Sequence, residues 1–443
     1  MDGKLTHAEQ RAPAPAPPGP LRVLLSAYAC EPHKGSEPGV GWEWATRLAR
    51  AGHQVCVLTR ANNRAVIDHA LAADPISGLR FVYYDLPRWA YAWKRGGRGV
   101  RLYYTLWQWG AYRVARELCR REHFDVAHHI TFGVFRHPSF MAFLGLPFVF
   151  GPVGGGECAP RPLRRSYPAY GYLADLARDL ANWYARVDPL MHAVYRRTAL
   201  TLCKTRQTLQ CIPSRYRGRC RVGLEIGTAG HGAQSPPPPK PHPDGGLRVL
   251  YVGRLVYWKG MHLGLAAFAQ LLAVQPEARL TVIGSGPEQA RLRELARRSG
   301  ISHAITWLAW MKRAAVMRAY RRHDVLLFPS LHDSSGNAVL EALSFGLPVV
   351  CLDCGGPALL VDATCGFRAP TGEPAQAVAG LARALVTLAQ DRALAQRMAR
   401  AAWRRAKRDF SWERQVARMD GVYRDAIAAC TPAAQARGTG VMS

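Results

Sequence analysis

From Leu21 onward, short apolar or β-branched runs alternate with stretches whose apolar residues recur at helical spacing: "LRVLLSAYA", "VGWEWATRLARA", "HQVCVLTR", "NRAVIDHALAA", "LRFVYYDL". Continuous apolar runs predict buried strands, and recurrence at i, i+3, i+4 predicts amphipathic helices. Strand and helix in strict turn predict a parallel sheet covered by helices on both faces. The alternation continues through "DVAHHIT" and "PFVFGPV" to "RVGLEIG". It then breaks at "HGAQSPPPPKPHPDGG", whose prolines favour extended polyproline geometry over a packed element. Beyond the break it restarts with "LRVLYVGR", "ARLTVIGSG", "AITWLAW", "DVLLFPSL" and "LPVVCLD", each followed by a helical stretch.

This organisation predicts an α/β chain of two Rossmann-like, doubly wound domains facing a cleft, with C-terminal helices. The expected divisions are a disordered tail over 1–20, a first domain over 21–230, a Pro-rich linker over 231–246, a second domain with the terminal helices over 247–430, and a flexible tail over 431–443. A length of 443 residues exceeds the usual size of one core, in agreement with two domains. In sheets of this kind ligands bind beyond the carboxyl ends of the strands, so the cleft between the domains is where chemistry is expected.

Composition narrows the classes. Hydrophobic residues make up 49% and charged residues 20%, and runs such as "FMAFLGLPFVFGPV" are interrupted by Gly and Pro well short of a bilayer span. The N-terminus "MDGKLTHAEQRAPAPAPPGP" lacks the order of a secretory signal, so a cytoplasmic location is expected. The 11 cysteines are odd in number and lie mostly in strand-like segments, which predicts reduced thiols; the C-x-x-C of Cys351 and Cys354 has no second pair at zinc spacing. The net charge of +28 attracts anions, whether nucleic acid, an anionic membrane or phosphorylated substrates, but its arginines are spread along the chain and single out none of these.

Candidate chemistry gathers at strand ends. In "HDSSGNAVLEALSFGLPVV", Asp333 stands on a loop and Glu341 one turn into the following helix. The amides at that helix start, Gly336 to Ala338, suit a phosphate, and ionised carboxylates suit paired sugar hydroxyls. A capped helix whose acids complement its dipole accounts for the same residues. In "YVGRLVYWKG", Gly253 precedes Arg254 and Lys259, which flank a strand-to-helix loop as a cationic clamp for a diphosphate; two solvated surface cations are the plainer reading. "GSGP" places Gly284 and Gly286 in the turn after the next strand. In the first half, Gly39 and Gly41 of "EPHKGSEPGVGWEW" stand at a helix entry where backbone can approach a ligand. His128 and His129 end the strand "DVAHHIT"; neighbours on a strand point to opposite faces, so at most one faces the cleft. "GPVGGGECAP", with Glu157, reads either as a mobile loop over an acceptor pocket or as a simple connection. The basic, aromatic stretch Trp93 to Arg121 suits an anionic membrane surface or nucleic acid, or a helix whose apolar face packs on its own sheet.

From Leu247 to about Pro370 the order "GRLVYWKG", "LTVIGSGPEQARLRELA", "VLLFPSLHDSSGNAVLEALSFGLPVV", "GGPALLV" resembles the second domain of the retaining glycosyltransferases of family 4. The likeness extends more loosely into "EPGVGWEWATRLARAGHQVCVLTR". It implies the GT-B fold, an acceptor-side first domain and a donor-binding second domain. It implies no metal and no cofactor beyond a UDP- or GDP-linked sugar as substrate. By the same likeness, Glu341 would hold the donor ribose, Asp333 would lie near the transferred sugar, and Arg254 and Lys259 would hold the diphosphate. Gly253, Gly284, Gly286, Gly336, Asn337 and Ala338 would surround the donor, and a histidine at 128 or 129 would lie near sugar or acceptor. Asp333 is one methylene shorter than the Glu usual in the family. The function implied is sugar transfer with retention to a glycan or lipid-linked acceptor, in bacterial surface polysaccharide or lipopolysaccharide assembly. The enzyme would be cytoplasmic or peripheral at the inner face of the membrane, with no nucleic acid partner. A basic nucleic-acid-binding protein and a GT-B sugar-nucleotide epimerase are the alternatives.

Overall fold

The computed structural model describes residues 19–87, 99–228 and 245–438, together with Ser235 and Pro238. Most of the expected N-terminal tail and Pro-rich linker, and residues 93–98 of the basic stretch, lie outside the described residues.

The first half forms seven strands: β1 (Arg22–Ser26), β2 (Gln54–Arg60), β3 (Leu79–Tyr84), β4 (Val126–His129), β5 (Phe148–Val153), β6 (Leu200–Cys203) and β7 (Cys220–Val222). They pair in parallel in the order β3-β2-β1-β4-β5-β6-β7. Its helices are α1 (Ser36–Arg50), α2 (Arg64–Ala73), α3 (Val100–Arg121), α4 (Ala169–Tyr184), α5 (Pro189–Arg197) and α6 (Arg206–Cys211). The second half forms β8 (Arg248–Val252), β9 (Arg279–Ile283), β10 (Ile305–Leu308), β11 (Val325–Phe328), β12 (Val349–Leu352) and β13 (Gly366–Ala369), parallel in the order β10-β9-β8-β11-β12-β13. Its helices are α7 (Met261–Val274), α8 (Gln289–Arg298), α9 (Arg313–Arg322), α10 (Asn337–Ser344), α11 (Pro357–Leu360), α12 (Pro374–Gln390), α13 (Arg392–Phe410) and α14 (Trp412–Gly438).

Both sheets have the predicted doubly wound architecture, and each reverses its winding once, between β1 and β4 and between β8 and β11. The loops after those four strands open at the reversal points, where a crevice forms because flanking helices leave in opposite directions. Each sheet is buried on both faces. Val23 and Leu25 of β1 face Trp44 and Leu48 of α1, while Leu24 faces the opposite cluster with Tyr103, Trp107 and Ala111 of α3. Thus α3 packs its aromatic face on its own sheet, the plainest of the three readings of that segment. Among the described residues no helix is long and apolar enough to cross a membrane. All 11 cysteines are free thiols, Cys351 and Cys354 among the buried ones.

One division departs from expectation. The last helix, α14, is expected with the second domain but packs on the first: Tyr423 hydrogen-bonds His128 at 2.7 Å, Gln415 donates to the Ile226 carbonyl at 2.8 Å, and Trp412 meets Trp44 edge-to-face at 5.3 Å. Periodicity identifies a helix and its apolar face but not which sheet that face covers. The helix also continues to Gly438, into the span expected as a flexible tail.

Candidate active site

After β8 the chain passes Gly253 and Arg254 and makes a 3-10 turn, Tyr257–Lys259, before α7. The turn after β9 lies directly on this loop. A Cβ on Gly284, whose φ is +145°, would stand 1.9 Å from the Gly253 carbonyl oxygen, and one on Gly286 would stand 2.2 Å from that of Leu255. The glycines of "GSGP" therefore serve backbone packing that shapes the cationic loop. Lys259 Nζ rests on the Asp333 carboxylate and lies 4.9 Å from the centre of the Phe328 ring. Arg254, by contrast, is exposed.

After β11 the loop carries His332, Asp333 and Ser334 and ends at Gly336, the N-cap of α10, with φ +81°. A crevice lies between the start of α10 and the start of α1. Asn337 and Glu341 line one side, Lys34, Gly35, Ser36 and Gly39 the other, and Arg313 of α9 closes one end. Two helix N-termini thus converge on one space, an arrangement that favours an anion. Glu341 accepts from Tyr320 Oη at 3.1 Å and pairs with Arg313 at 3.3 Å. Burial pushes its carboxyl above the ordinary value, and Arg313 and Tyr320 oppose that shift. Ala338, expected beside the donor, packs against the core.

A second, interdomain cleft of about 590 Å³ adjoins Asp333. Asp333, Ser334, His332 and Trp258 face Glu37, Lys204, Gly133 and Gly154 of the first domain, and Asp175 and Arg178 of α4 form another wall. His332 stacks on Trp258, ring centres 5.5 Å apart, with Nε2 3.5 Å from Asp175. The eight-residue spacing of Asp333 and Glu341 therefore sets one carboxylate in each of two crevices.

Four expectations for the first domain need correction. His128 and His129 are both buried and neither lines these crevices. His128 Nε2 donates to the Gly151 carbonyl at 2.6 Å, which leaves Nδ1 to accept from Tyr423 Oη. His129 contacts Tyr104 Oη at 3.1 Å and Ser139 Oγ at 3.0 Å. Burial pushes the two imidazoles down to about 4 and about 3. Their opposite directions follow the strand alternation, but a helix covers each face. Glu157 is buried and accepts from Thr205 Oγ1 at 2.7 Å, Thr208 Oγ1 at 2.6 Å and the Gly155 amide at 2.9 Å, so it pins the Gly-rich loop from beneath. Gly41 approaches its own turn: a Cβ there would stand 2.1 Å from the Ala29 carbonyl oxygen. Gly39 alone of that pair lines a crevice.

A network absent from the sequence reading ties the halves together. Lys204 Nζ meets Glu225 at 2.7 Å and Glu37 at 3.2 Å, Ser335 Oγ donates to Glu225 at 2.6 Å, and Glu37 also accepts from the Phe132 amide at 2.9 Å. Burial pulls the Lys204 ammonium down, but Glu225 and Glu37 outweigh it and hold it above its ordinary value. Ser335 belongs to the loop that carries Asp333, so this buried charge cluster sets the loop against the first domain. No local spacing announces it, because Glu37 comes from the start of α1 and Lys204 and Glu225 from the loops after β6 and β7.

Residues 236–405 match the family described as glycosyl transferases group 1. A glycogen synthase of Mycobacterium tuberculosis is 34% identical over 169 residues, 38% of this chain and 40% of that protein. The chain thus spans about two-fifths of the length of that relative. A D-inositol 3-phosphate glycosyltransferase of Streptomyces avermitilis is 26% identical over 93% of this chain and 89% of its own. Among solved structures, HepE of Anabaena, in complex with UDP and glucose, superposes with a TM-score of 0.59 at 16% identity, covering 91% of this chain and 99% of that one. The fold is GT-B.

Proposed function

We propose that this chain transfers a sugar from a nucleoside diphosphate donor, UDP- or GDP-linked, to a hydroxyl of a glycan or lipid-linked acceptor. The observation that carries the reading is the pair of adjoining crevices, one at converging helix N-termini beside Glu341, the other beside the Lys259–Asp333 pair. The first suits a diphosphate and ribose: the helix starts meet the phosphates, and the ionised Glu341 accepts from the ribose hydroxyls. The second has room for the transferred sugar and the acceptor, with Asp333 and Arg178 on its walls to meet hydroxyls. Relatives named as glycosyltransferases and a fold shared with a UDP- and glucose-bound protein support the same reading.

In the reaction the bond between the anomeric carbon and the diphosphate oxygen breaks, and the electron pair leaves with the diphosphate. The acceptor oxygen bonds to the same carbon and passes its proton to the departing diphosphate oxygen. Lys259 and the amides at the start of α10 would stabilise the departing charge, preorganised in a site that closure of the two halves shields from water. We assign the transfer as retaining and place it in bacterial surface polysaccharide or lipopolysaccharide assembly, on the family 4 resemblance. Arg254, exposed at the rim, would reach the outer phosphate once donor is bound.

The test is a thermal-shift panel of UDP, GDP, ADP and a short DNA duplex on the wild type and on Glu341→Ala. Stabilisation by one nucleoside diphosphate that vanishes in the variant supports the donor site. Stabilisation by DNA alone, indifferent to Glu341, would sink the reading.

A further inference from the structure

Helix α4 is built inside out. The side chains it turns toward the protein are polar or absent: Gly171, Asp175 and Asn182 are buried, with Arg178 partly so. Asp175 accepts from Tyr257 Oη at 3.1 Å, Asn182 accepts from Arg136 at 2.8 Å, and Arg178 donates to the Glu157 carbonyl at 2.8 Å. The opposite side is apolar and faces solvent. Leu173, Leu176, Leu180, Trp183, Tyr184 and, just past the helix, Val187 are each more than half exposed. Their spacing puts them in one stripe along the helix. A helix of a soluble protein ordinarily does the reverse, and a contiguous apolar stripe in solvent marks a surface that meets something else.

The charges around the stripe say what that is. Between Arg161 and Arg197 the three acids are all engaged: Asp175 is buried, Asp179 pairs with Arg164 at 2.5 Å, and Asp188 caps α5 through the Leu190 and Met191 amides. The exposed charged side chains of that segment, Arg161, Arg165, Arg186, Arg196 and Arg197, are all cationic; of these Arg165 pairs with Glu373 at 3.4 Å. An apolar stripe with Trp and Tyr at one end, in a segment whose exposed charges are arginines, fits the boundary between acyl chains and anionic headgroups. A second copy of this chain fits poorly, because joining two such faces would set like-charged segments together in a protein of net charge +28.

We propose that α4 docks this protein on an anionic bilayer, with the stripe in the interface and the arginines on lipid phosphates. The surface is α4, not the basic segment from Trp93 to Arg121, for which a membrane surface is one of three sequence-based readings. Docking has a geometric consequence, because the inner face of α4, through Ala174, Asp175 and Arg178, lines the cleft that holds Asp333. The cleft then lies about one helix diameter, roughly 10 Å, from the lipid surface. That an acceptor anchored in the bilayer enters there rests on the transfer reaction proposed above; the docking itself does not.

The experiment is co-sedimentation of the full chain with vesicles of phosphatidylcholine, with and without phosphatidylglycerol, for the wild type, for Leu176→Glu with Leu180→Glu, and for Leu106→Glu on α3 as control. Expected are binding to the anionic vesicles only, loss of about tenfold or more in the α4 double variant, and no change in the control. The double variant should keep the thermal shift given by UDP or GDP, which shows that it folds. Binding by the double variant equal to wild type, binding indifferent to lipid charge, or a wild-type dimer by light scattering that the double variant dissolves would each overturn the proposal. Vesicle binding in a protein that no nucleotide stabilises would leave the dock standing and remove the transferase reading.

Discussion

Lys259 of the loop after β8 and Asp333 of the loop after β11 are in direct contact, each side chain less than one-fifth exposed, so the cation and the first acid of the site hold one another in place. The two loops leave adjacent strands at the reversal point of the second sheet, which is why residues so distant in sequence meet. In the proposed reaction Lys259 is a preorganised donor to charge that grows on the diphosphate. Lys259→Ala should lower kcat by about two orders of magnitude, corresponding to ~3 kcal/mol of lost transition-state stabilisation. Steady-state kinetics with the donor found by thermal shift will check this, and turnover within a few fold of wild type would remove Lys259 from the chemistry.

Glu341 should make donor binding depend on pH. Its carboxyl is raised above the ordinary 4.5 by burial, and only the ionised form accepts from both ribose hydroxyls. As pH falls through that raised value the carboxyl takes a proton, so nucleotide affinity should weaken toward acid before ordinary carboxylates titrate. Calorimetric titration of UDP or GDP at a series of pH values falling from neutral should show the decline, and Glu341→Gln should bind weakly and lack the part of that dependence due to the carboxyl. A pH-independent wild type would exclude a carboxylate–ribose contact.

These residues were legible because parallel, doubly buried strands read as continuous apolar runs, and the polar residues that interrupt "DVLLFPSLHDSSGNAV" or "LYVGRLVYWKG" can only be loops at strand ends. The histidine pair was not. Period two correctly sends His128 and His129 to opposite faces, yet the partner of His128, Tyr423, is 295 residues away on a helix whose destination no periodicity reveals. Lys204, Glu37 and Glu225 were equally hidden, since a charge cluster assembled from a helix start and the loops after two strands has no local spacing. The inverted α4 was the opposite case: "YGYLADLARDLANWY" reads as an ordinary amphipathic helix, and only the packing shows that its polar face is the one turned inward.

The buried histidines should make folding stability fall in mild acid. In the folded chain they stay neutral down to about 4 and about 3, whereas unfolded imidazoles take up protons near 6.5. Below 6.5 the unfolded state therefore binds more protons, so stability is fully present above that pH and is lost as pH falls toward 4. Each histidine contributes a slope of up to ~1.4 kcal/mol per pH unit in that window. Urea unfolding at a series of pH values should show this slope, to which His262, pushed down by burial to about 4, and His53, also lowered by burial, add their share; His128→Gln, whatever its own cost, should reduce it by about a third or less. An unchanged slope would mean that His128 titrates normally.

Lys204 offers the sharpest separation of structure from chemistry. It lies between Glu225 and Glu37 with almost no exposure, and Ser335, two residues from Asp333, hydrogen-bonds the same Glu225 oxygen. Replacing it by methionine keeps much of the volume but leaves a buried carboxylate without its counter-charge, a loss of about 3–5 kcal/mol when one partner of a buried pair is removed. Lys204→Met should therefore lower the urea midpoint strongly. Adding Glu225→Gln should recover a large part of that loss, because the uncompensated charge is gone and Ser335 keeps an acceptor. Recovery of stability need not restore activity. If the ion cluster also sets the Asp333 loop against the first domain, the double variant will fold well yet show a raised KM for donor, with kcat lowered less. A double variant as active as wild type would restrict Lys204 to holding the fold, and one no more stable than the single variant would show that the charge cluster is not what binds the two halves.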